Sequence, residues 1–237
     1  MSRWAALACL PLALLAISAF AQVSDPKPGI VGSDDRTITS DERFTAVGRL
    51  NLSGKGFCTA TLIAPQVVIT AAHCTFYPRT GKPIPADRIH FAAGWRQGKP
   101  LAHSVAKHVR RHPRYEHGKP ISADIAIIVL AEPINDARIT PIPIDRETER
   151  VRLIVPLTLV SYARDRPHLP SVESGCVVRS VQGRVLLTDC DSHFGASGAP
   201  ILHETAEGFA VLGVVSGVIE QNGLRRVAAI RAFMEEK

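Results

Sequence analysis

Three short stretches of this chain carry residue types that can do acid–base or nucleophilic chemistry. Residues 70–74 read TAAHC, so His73 follows the apolar run VVIT and is immediately tethered by Cys74. A histidine beside a cysteine can be a metal ligand, but no second His/Cys pair at zinc-like spacing accompanies it, which favours a positioned imidazole. Residues 112–130 read HPRYEHGKPISADIAIIVL, with Asp124 heading an apolar run. A carboxylate there tends to be partly buried and needs a partner. Taken alone, a strand-start or turn aspartate is the commoner occupant of such a place. Residues 194–200 read FGASGAP. Gly195 can bring its N–H toward a reacting oxygen with no side chain in the way, and Ser197 can present both its Oγ and its own N–H from the same turn. A lone GxSG occurs by chance in many proteins. The weight lies in the conjunction of base, carboxylate and hydroxyl on one chain.

The elements that must position these groups read as short strands. AVGRLNL (46–52), CTATLI (58–63), QVVITAA (66–72), DIAIIVL (124–130), LIVPLTLVSY (153–162), CVVRSV (176–181), RVLLTDC (184–190) and FAVLGVVSGV (209–218) are rich in Val, Ile and Thr and too short for helices. Gly, Pro, Asn and Asp separate them, which predicts an all-β sandwich or barrel. CVVRSVQGRVLLTDC reads as a hairpin with Gln182-Gly183-Arg184 as its loop, which sets Cys176 opposite Cys190. AIRAFMEEK at the end reads as a short helical cap. The basic stretch KHVRRHPRYEHGK (107–119) carries much of the formal charge of +6. It reads as a solvated loop rather than a nucleic-acid surface, so no nucleic-acid partner is expected.

The first residues, MSRWAALACLPLALLAISAFAQ, place Arg3 before an apolar run and end in Ala19-Phe20-Ala21. That pattern predicts a signal peptide over 1–21, a cleavage near Ala21 and a secreted or periplasmic product. No later stretch approaches the roughly 18 apolar residues a spanning helix needs, so no membrane association is expected once the signal is gone. Four cysteines remain, Cys58, Cys74, Cys176 and Cys190. An even count on an exported chain suggests two disulfides, and the spacings favour Cys58–Cys74 and Cys176–Cys190 among the three pairings. Of the nine histidines, His103, His108, His112 and His117 share no helical face, and no metal or cofactor is expected.

Taken in chain order, His73, Asp124 and Ser197 resemble the triad of the chymotrypsin-fold, trypsin-like serine proteases. TAAHC, HPxY followed by DIAIIVL, and GxSGAP match motifs of that family over roughly residues 30–233. GSDDR (32–36) and CDSHFGASG look like its bacterial trypsin-like and glutamyl-endopeptidase-like branch. The resemblance implies an all-β fold of two six-stranded antiparallel β-barrels with a short C-terminal helix. The protease domain would span 22–237, with barrels over about 30–135 and 136–237. It implies a monomeric serine endopeptidase acting on polypeptide. Ser197 would be the nucleophile, His73 the base, Asp124 its orienting acid, and the N–H groups of Gly195 and Ser197 the oxyanion hole. Asp191, six residues before Ser197, would sit at the base of the substrate pocket, with Ser216 and Val218 of VVSGV on its wall. A basic P1 residue ranks first, a small one second and an acidic one third.

One departure stands out. PGIVGSDD suggests activation by a cut before Ile30, but Ala196 occupies the place of the carboxylate that would receive the new amine. A second reading of the chain is a protease-fold binding protein that uses the basic 107–119 surface and has little or no peptidase activity.

Overall fold

The structure, a computed structural model, describes residue 30 and residues 33–54, 56–116, 118–145, 155–221 and 224–232. The expected signal peptide, any pro-segment up to Gly29, His117 and the last five residues lie outside these.

A two-residue strand, β1 (Thr37–Ile38), precedes a closed antiparallel barrel. The barrel is built from β2 (Val47–Leu52), β3 (Phe57–Ala64), β4 (Val67–Thr70), β5 (Ile89–Ala93), β6 (Ala102–Arg111) and β7 (Ala126–Leu130), in the order β2-β3-β4-β7-β6-β5. The ladder between β2 and β5 closes it. Period-two patterning explains the strands: β2 turns Leu50 and Leu52 inward while Arg49 and Asn51 stay half-exposed.

The second sheet holds β8 (Leu157–Ala163), β9 (Arg166–Cys176), β10 (Val178–Gln182), β11 (Val185–Thr188), β12 (Pro200–Thr205), β13 (Gly208–Gln221) and β14 (Leu224–Arg231). Its order is β1-β9-β8-β12-β13-β14-β11-β10. Only Val177 separates β9 from β10, so one run of chain serves at both ends of the sheet. The bend is held by Val177 N–H donating to Asp189 Oδ1 (2.7 Å), Asp189 N–H donating to Val177 O (3.2 Å) and the Cys176–Cys190 disulfide. Counted this way the second unit is a six-stranded barrel closed by a bent strand, with β1 laid on its outer edge.

One apolar cluster fills the first barrel and continues across the junction into the second, joining Leu50, Leu62, Ile69, Phe91 and Ile128 to Tyr162, Leu202 and Val214. A second, with Leu157, Leu159, Leu186, Ile201 and Val227, lies within the other barrel. Each fully buried Leu or Ile of this kind contributes roughly 1.5–3 kcal/mol.

Three sequence expectations are corrected. AIRAFMEEK is not a helical cap in its described part, because Ala229–Arg231 belong to β14. Its Val227–Ile230 segment pairs with both β11 and β13 and is fully buried, so two strand partners override the helix preference of Ala and Arg. Residues 107–111 are not loop but the end of β6. A bulge between Ala106 and His108 puts Lys107 and His108 both outward, which breaks the alternation that would have marked the strand. The 176–190 hairpin turns on two residues, Gly183-Arg184, since Gln182 pairs with Val185. Among the described residues no helix is long and apolar enough to cross a membrane.

Candidate active site

His73 lies on a 3₁₀ turn, Ala72–Thr75, directly after β4. Three restraints fix that turn. Cys74 is disulfide-bonded to Cys58 on β3. Thr75 Oγ1 donates back to Ala72 O (2.7 Å). Arg111, at the end of β6, donates to Thr75 Oγ1 (2.6 Å) and Thr75 O (3.1 Å) while its guanidinium lies 4.7 Å over Phe76.

Asp124 follows a second 3₁₀ turn, Ile121–Ala123, and is buried. Its Oδ1 accepts the backbone N–H of His73 (2.8 Å); its Oδ2 accepts from His73 Nδ1 (2.7 Å) and from the Ser216 hydroxyl (2.5 Å). Burial works against the charged carboxylate, but the hydrogen bonds and charge of His73 and the Ser216 hydroxyl outweigh it, holding the carboxyl below its ordinary range. An ionised Asp124 can only accept, so the proton sits on Nδ1 and Nε2 is left as the acceptor. Tyr115, packed on Phe76 at 5.8 Å, has its phenol pushed up by burial and by the charge of Asp124.

The loop carrying Ser197 is held by the first barrel. Thr59 N–H donates to Ser197 O (2.8 Å). The fully buried Thr59 hydroxyl lies between the carbonyls of Gly195 (3.0 Å) and Tyr162 (3.2 Å) and accepts Tyr162 N–H (3.0 Å). Gly195 (φ 99°) and Gly198 (φ 81°) take backbone conformations that favour glycine. Each is also pressed against its surroundings. A Cβ on Gly195 would meet the Phe57 ring at 2.8 Å, and one on Gly198 would collide with Thr59 O and Thr70 Oγ1. Gly198 thus rests on Thr59 and Thr70–Ala71, which brings Ser197 beside the His73 turn. The N–H groups of Ala196, Gly198 and Ala199 are taken by the carbonyls of His193, Val215 and Ala196. Those of Gly195 and Ser197 donate to no acceptor among the described residues. Two neighbouring donors left free on a loop whose other amides are satisfied can stabilise a developing oxyanion.

The structure thus pairs His73 with Asp124 but does not join Ser197 Oγ to the imidazole by a hydrogen bond. Catalytic bonds of this kind often tighten only when substrate is bound. An open cleft beside His73 is lined by Tyr115, Gly118, Ile121, Asp124, Ser216 and Gly217. Ser216 sits at a β-bulge in β13, its hydroxyl on Asp124, and Val218 stands 40% exposed next to it. Asp191 does not line this cleft. It is buried, its Oδ2 accepting Asp35 N–H (2.9 Å) and its N–H donating to Glu173 Oε2 (2.5 Å). The adjoining segment is also anchored: Arg36, with a side chain 1% exposed, bonds Asp34 and Asp165 at 2.8 Å each, and Asp165 lies 3.7 Å from His193 Nδ1.

Cys58, His73 and Cys74 gather their ligand-type atoms within 4.8 Å, but both sulfurs are joined in the disulfide and offer no thiolate. Residues not foreseen are Thr59, Arg111 and Arg36, which act through partners remote in sequence. Only Tyr115, in HPRY, carried a motif signal.

A family model described as Trypsin matches residues 30–233. A curated protein described as "Trypsin" from Saccharopolyspora erythraea is 34% identical over 112 residues, covering 46% of this chain and 45% of that protein. The match therefore spans less than half of that relative's length. A solved structure described as "Structure of Glu endopeptidase in complex with MPD" superposes with a TM-score of 0.72 at 17% identity, over 86% of this chain and 94% of the other. That likeness, at such low identity, speaks to the double-barrel fold of the chymotrypsin type.

Proposed function

This chain belongs to the trypsin family, and from that premise we propose that it is an exported serine endopeptidase that cleaves peptide bonds through an acyl-enzyme. The observation that carries the reading is the buried Asp124 gripping both the backbone N–H and Nδ1 of His73. The free N–H groups of Gly195 and Ser197 support it. In the reaction, His73 Nε2 takes the proton of Ser197 Oγ as that oxygen attacks the scissile carbonyl. The Gly195 and Ser197 N–H groups hold the oxyanion. His73 returns the proton to the leaving amine, and water then releases the acyl group by the same steps. Asp124 keeps the imidazole in the Nδ1–H tautomer and stabilises the imidazolium, and Ser216 helps hold the carboxylate. Export is supported by the apolar leader pattern of residues 1–21 and by two disulfides. Asp191, buried and accepting Asp35 N–H, lies away from the Ser216 cleft, so it does not support the basic P1 preference expected from the sequence.

The second reading is a protease-fold binding protein with little or no peptidase activity, in which Ser197 Oγ and the imidazole stay unjoined. A fluorophosphonate probe separates the two. The expected result is stoichiometric labelling at Ser197 with peptide turnover, both lost in Ser197→Ala, and a fall of roughly 10⁴ in kcat for Asp124→Asn through the wrong tautomer. A folded chain starting at Gln22 that neither labels nor cleaves would install the second reading.

A further inference from the structure

The Ser197 loop has two flanks. One carries the Ser216–Gly217 cleft described above. The other carries a row of alternating aromatic and cationic side chains. Phe194, adjoining Gly195, is 55% exposed, with the guanidinium of Arg164 5.7 Å over its ring. Arg164 N–H donates to Phe194 O (2.7 Å), which ties the turn between β8 and β9 to the rim of the loop. Phe57 fills the space against Gly195. Behind it, the Arg49 guanidinium lies 4.0 Å from the Phe57 centroid and 4.8 Å from that of Trp95.

These two arginines differ from others in the molecule. Arg36, Arg43, Arg138, Arg166 and Arg179 each pair with an aspartate. Neither Arg49 nor Arg164 pairs with a carboxylate among the described residues. Arg49 spends Nη1 on Pro167 O (2.8 Å), while its Nε and the indole Nε1 of Trp95 are buried without a partner. A half-buried cation with unfilled donors is costly, and supplying a carboxylate offsets that cost. The flat aromatic contacts hold the guanidinium in place in advance, which lowers the cost of recognition.

We propose that this flank is a binding subsite for an acidic side chain of the substrate, with Arg164 as its outer and Arg49 as its inner cation and Phe57 and Phe194 as its walls. Phe194 adjoins Gly195 and Phe57 lies against it, so a polypeptide crossing Ser197 in extended form presents to this flank a residue close to the scissile bond, on the side away from the Ser216 cleft. The proposal rests on the peptidase reading and adds a substrate class to it: chains in which an acidic residue lies close to the cut.

The test is a steady-state comparison of peptides that carry Glu, Gln or Lys at each position around the cleavage site, with the fluorophosphonate label run in parallel on the same preparation. The expected result is a roughly three- to tenfold lower KM for Glu than for Gln at one position of a single flank, with kcat little changed and the gap shrinking as salt is raised. Arg164→Glu should turn that preference toward Lys, and Arg49→Met should weaken it. Equal kcat/KM for Glu and Gln at every position in a preparation that labels and cleaves would overturn the subsite and leave the peptidase reading standing. A Glu preference that survives both variants would also overturn it. Failure of the label itself would instead bring down the peptidase reading.

Discussion

Glu173, on β9, hands its Oε2 to the N–H of Asp191 and is itself buried. Burial pushes its carboxyl up to about 7, the Asp191 N–H pulls the other way, and the charges of Asp191, Asp35 and Asp189 add to the rise. An acid whose folded pKa lies above its ordinary 4.5 binds more protons folded than unfolded between those two values. Stability is therefore greatest at low pH with respect to this group. It falls as pH rises from about 4.5 to 7 and stays reduced above, by about 3 kcal/mol in all. Glu173→Gln keeps an acceptor for Asp191 N–H and removes the charge. Urea unfolding should find the variant more stable by about 2–3 kcal/mol at pH 8 and nearly equal to the parent at pH 4. A variant no more stable at pH 8 would show that Glu173 is ionised without penalty. The same residue-scale view explains what the sequence made legible at the site. His73, Asp124 and Ser197 each sit in a local pattern of fewer than ten residues. Thr59, Arg111 and Glu173 carry no such pattern, because their roles exist only through partners brought near by the fold.

At the scale of elements, the segment from Ser33 to Ile38 straps the first residues to the second barrel. β1 pairs with β9, Arg36 lies between Asp34 and Asp165, Arg166 donates to Arg36 O, and Asp35 N–H reaches Asp191. Asp191 and His193 open the loop that ends at Ser197, so the strap braces that loop from outside. Burial opposes the charge of Arg36, and its two aspartate partners outweigh it. Arg36→Met leaves two acids facing an apolar stem. It should cost about 3–5 kcal/mol of stability and lower kcat more than it raises KM. Arg36→Lys should restore part of both, as judged by chemical denaturation and steady-state kinetics, and a variant with unchanged kcat would remove the strap from any part in catalysis. Strand reading from sequence succeeded where Val, Ile and Thr crowd together, as in β3, β4, β7 and β13. It missed β1, β5, β12 and β14, and also the longer β6 and β9, whose sequences AHSVAKHVRR and RPHLPSVESGC mix His, Pro and charge. β6 and β9 are made strands by their neighbours, β5 and β7 for the first, β8 and β1 for the second. The second barrel's closure was equally hidden, because a bend at one residue leaves no compositional trace.

Taken whole, the molecule is two barrels whose joint passes under the candidate nucleophile. Thr59 of the first barrel holds the Gly195 and Ser197 carbonyls, and Val215 of the second takes Gly198 N–H. Thr59→Val is nearly isosteric and leaves the Gly195 and Tyr162 groups unpaired in a dry place. It should cost about 1–3 kcal/mol and reduce turnover of bound substrate while the isolated strands of both barrels keep their circular-dichroism signal. A Val variant with full turnover would show that the loop keeps its shape without the joint. The joint also sets a schedule. Thr59 leaves the ribosome 136 residues ahead of Gly195, and β13, which completes the grip, comes later still. Until both barrels have met, neither of these two supports of the Ser197 loop is in place. On the peptidase reading, the order of synthesis itself would keep the loop out of working form until both barrels have met.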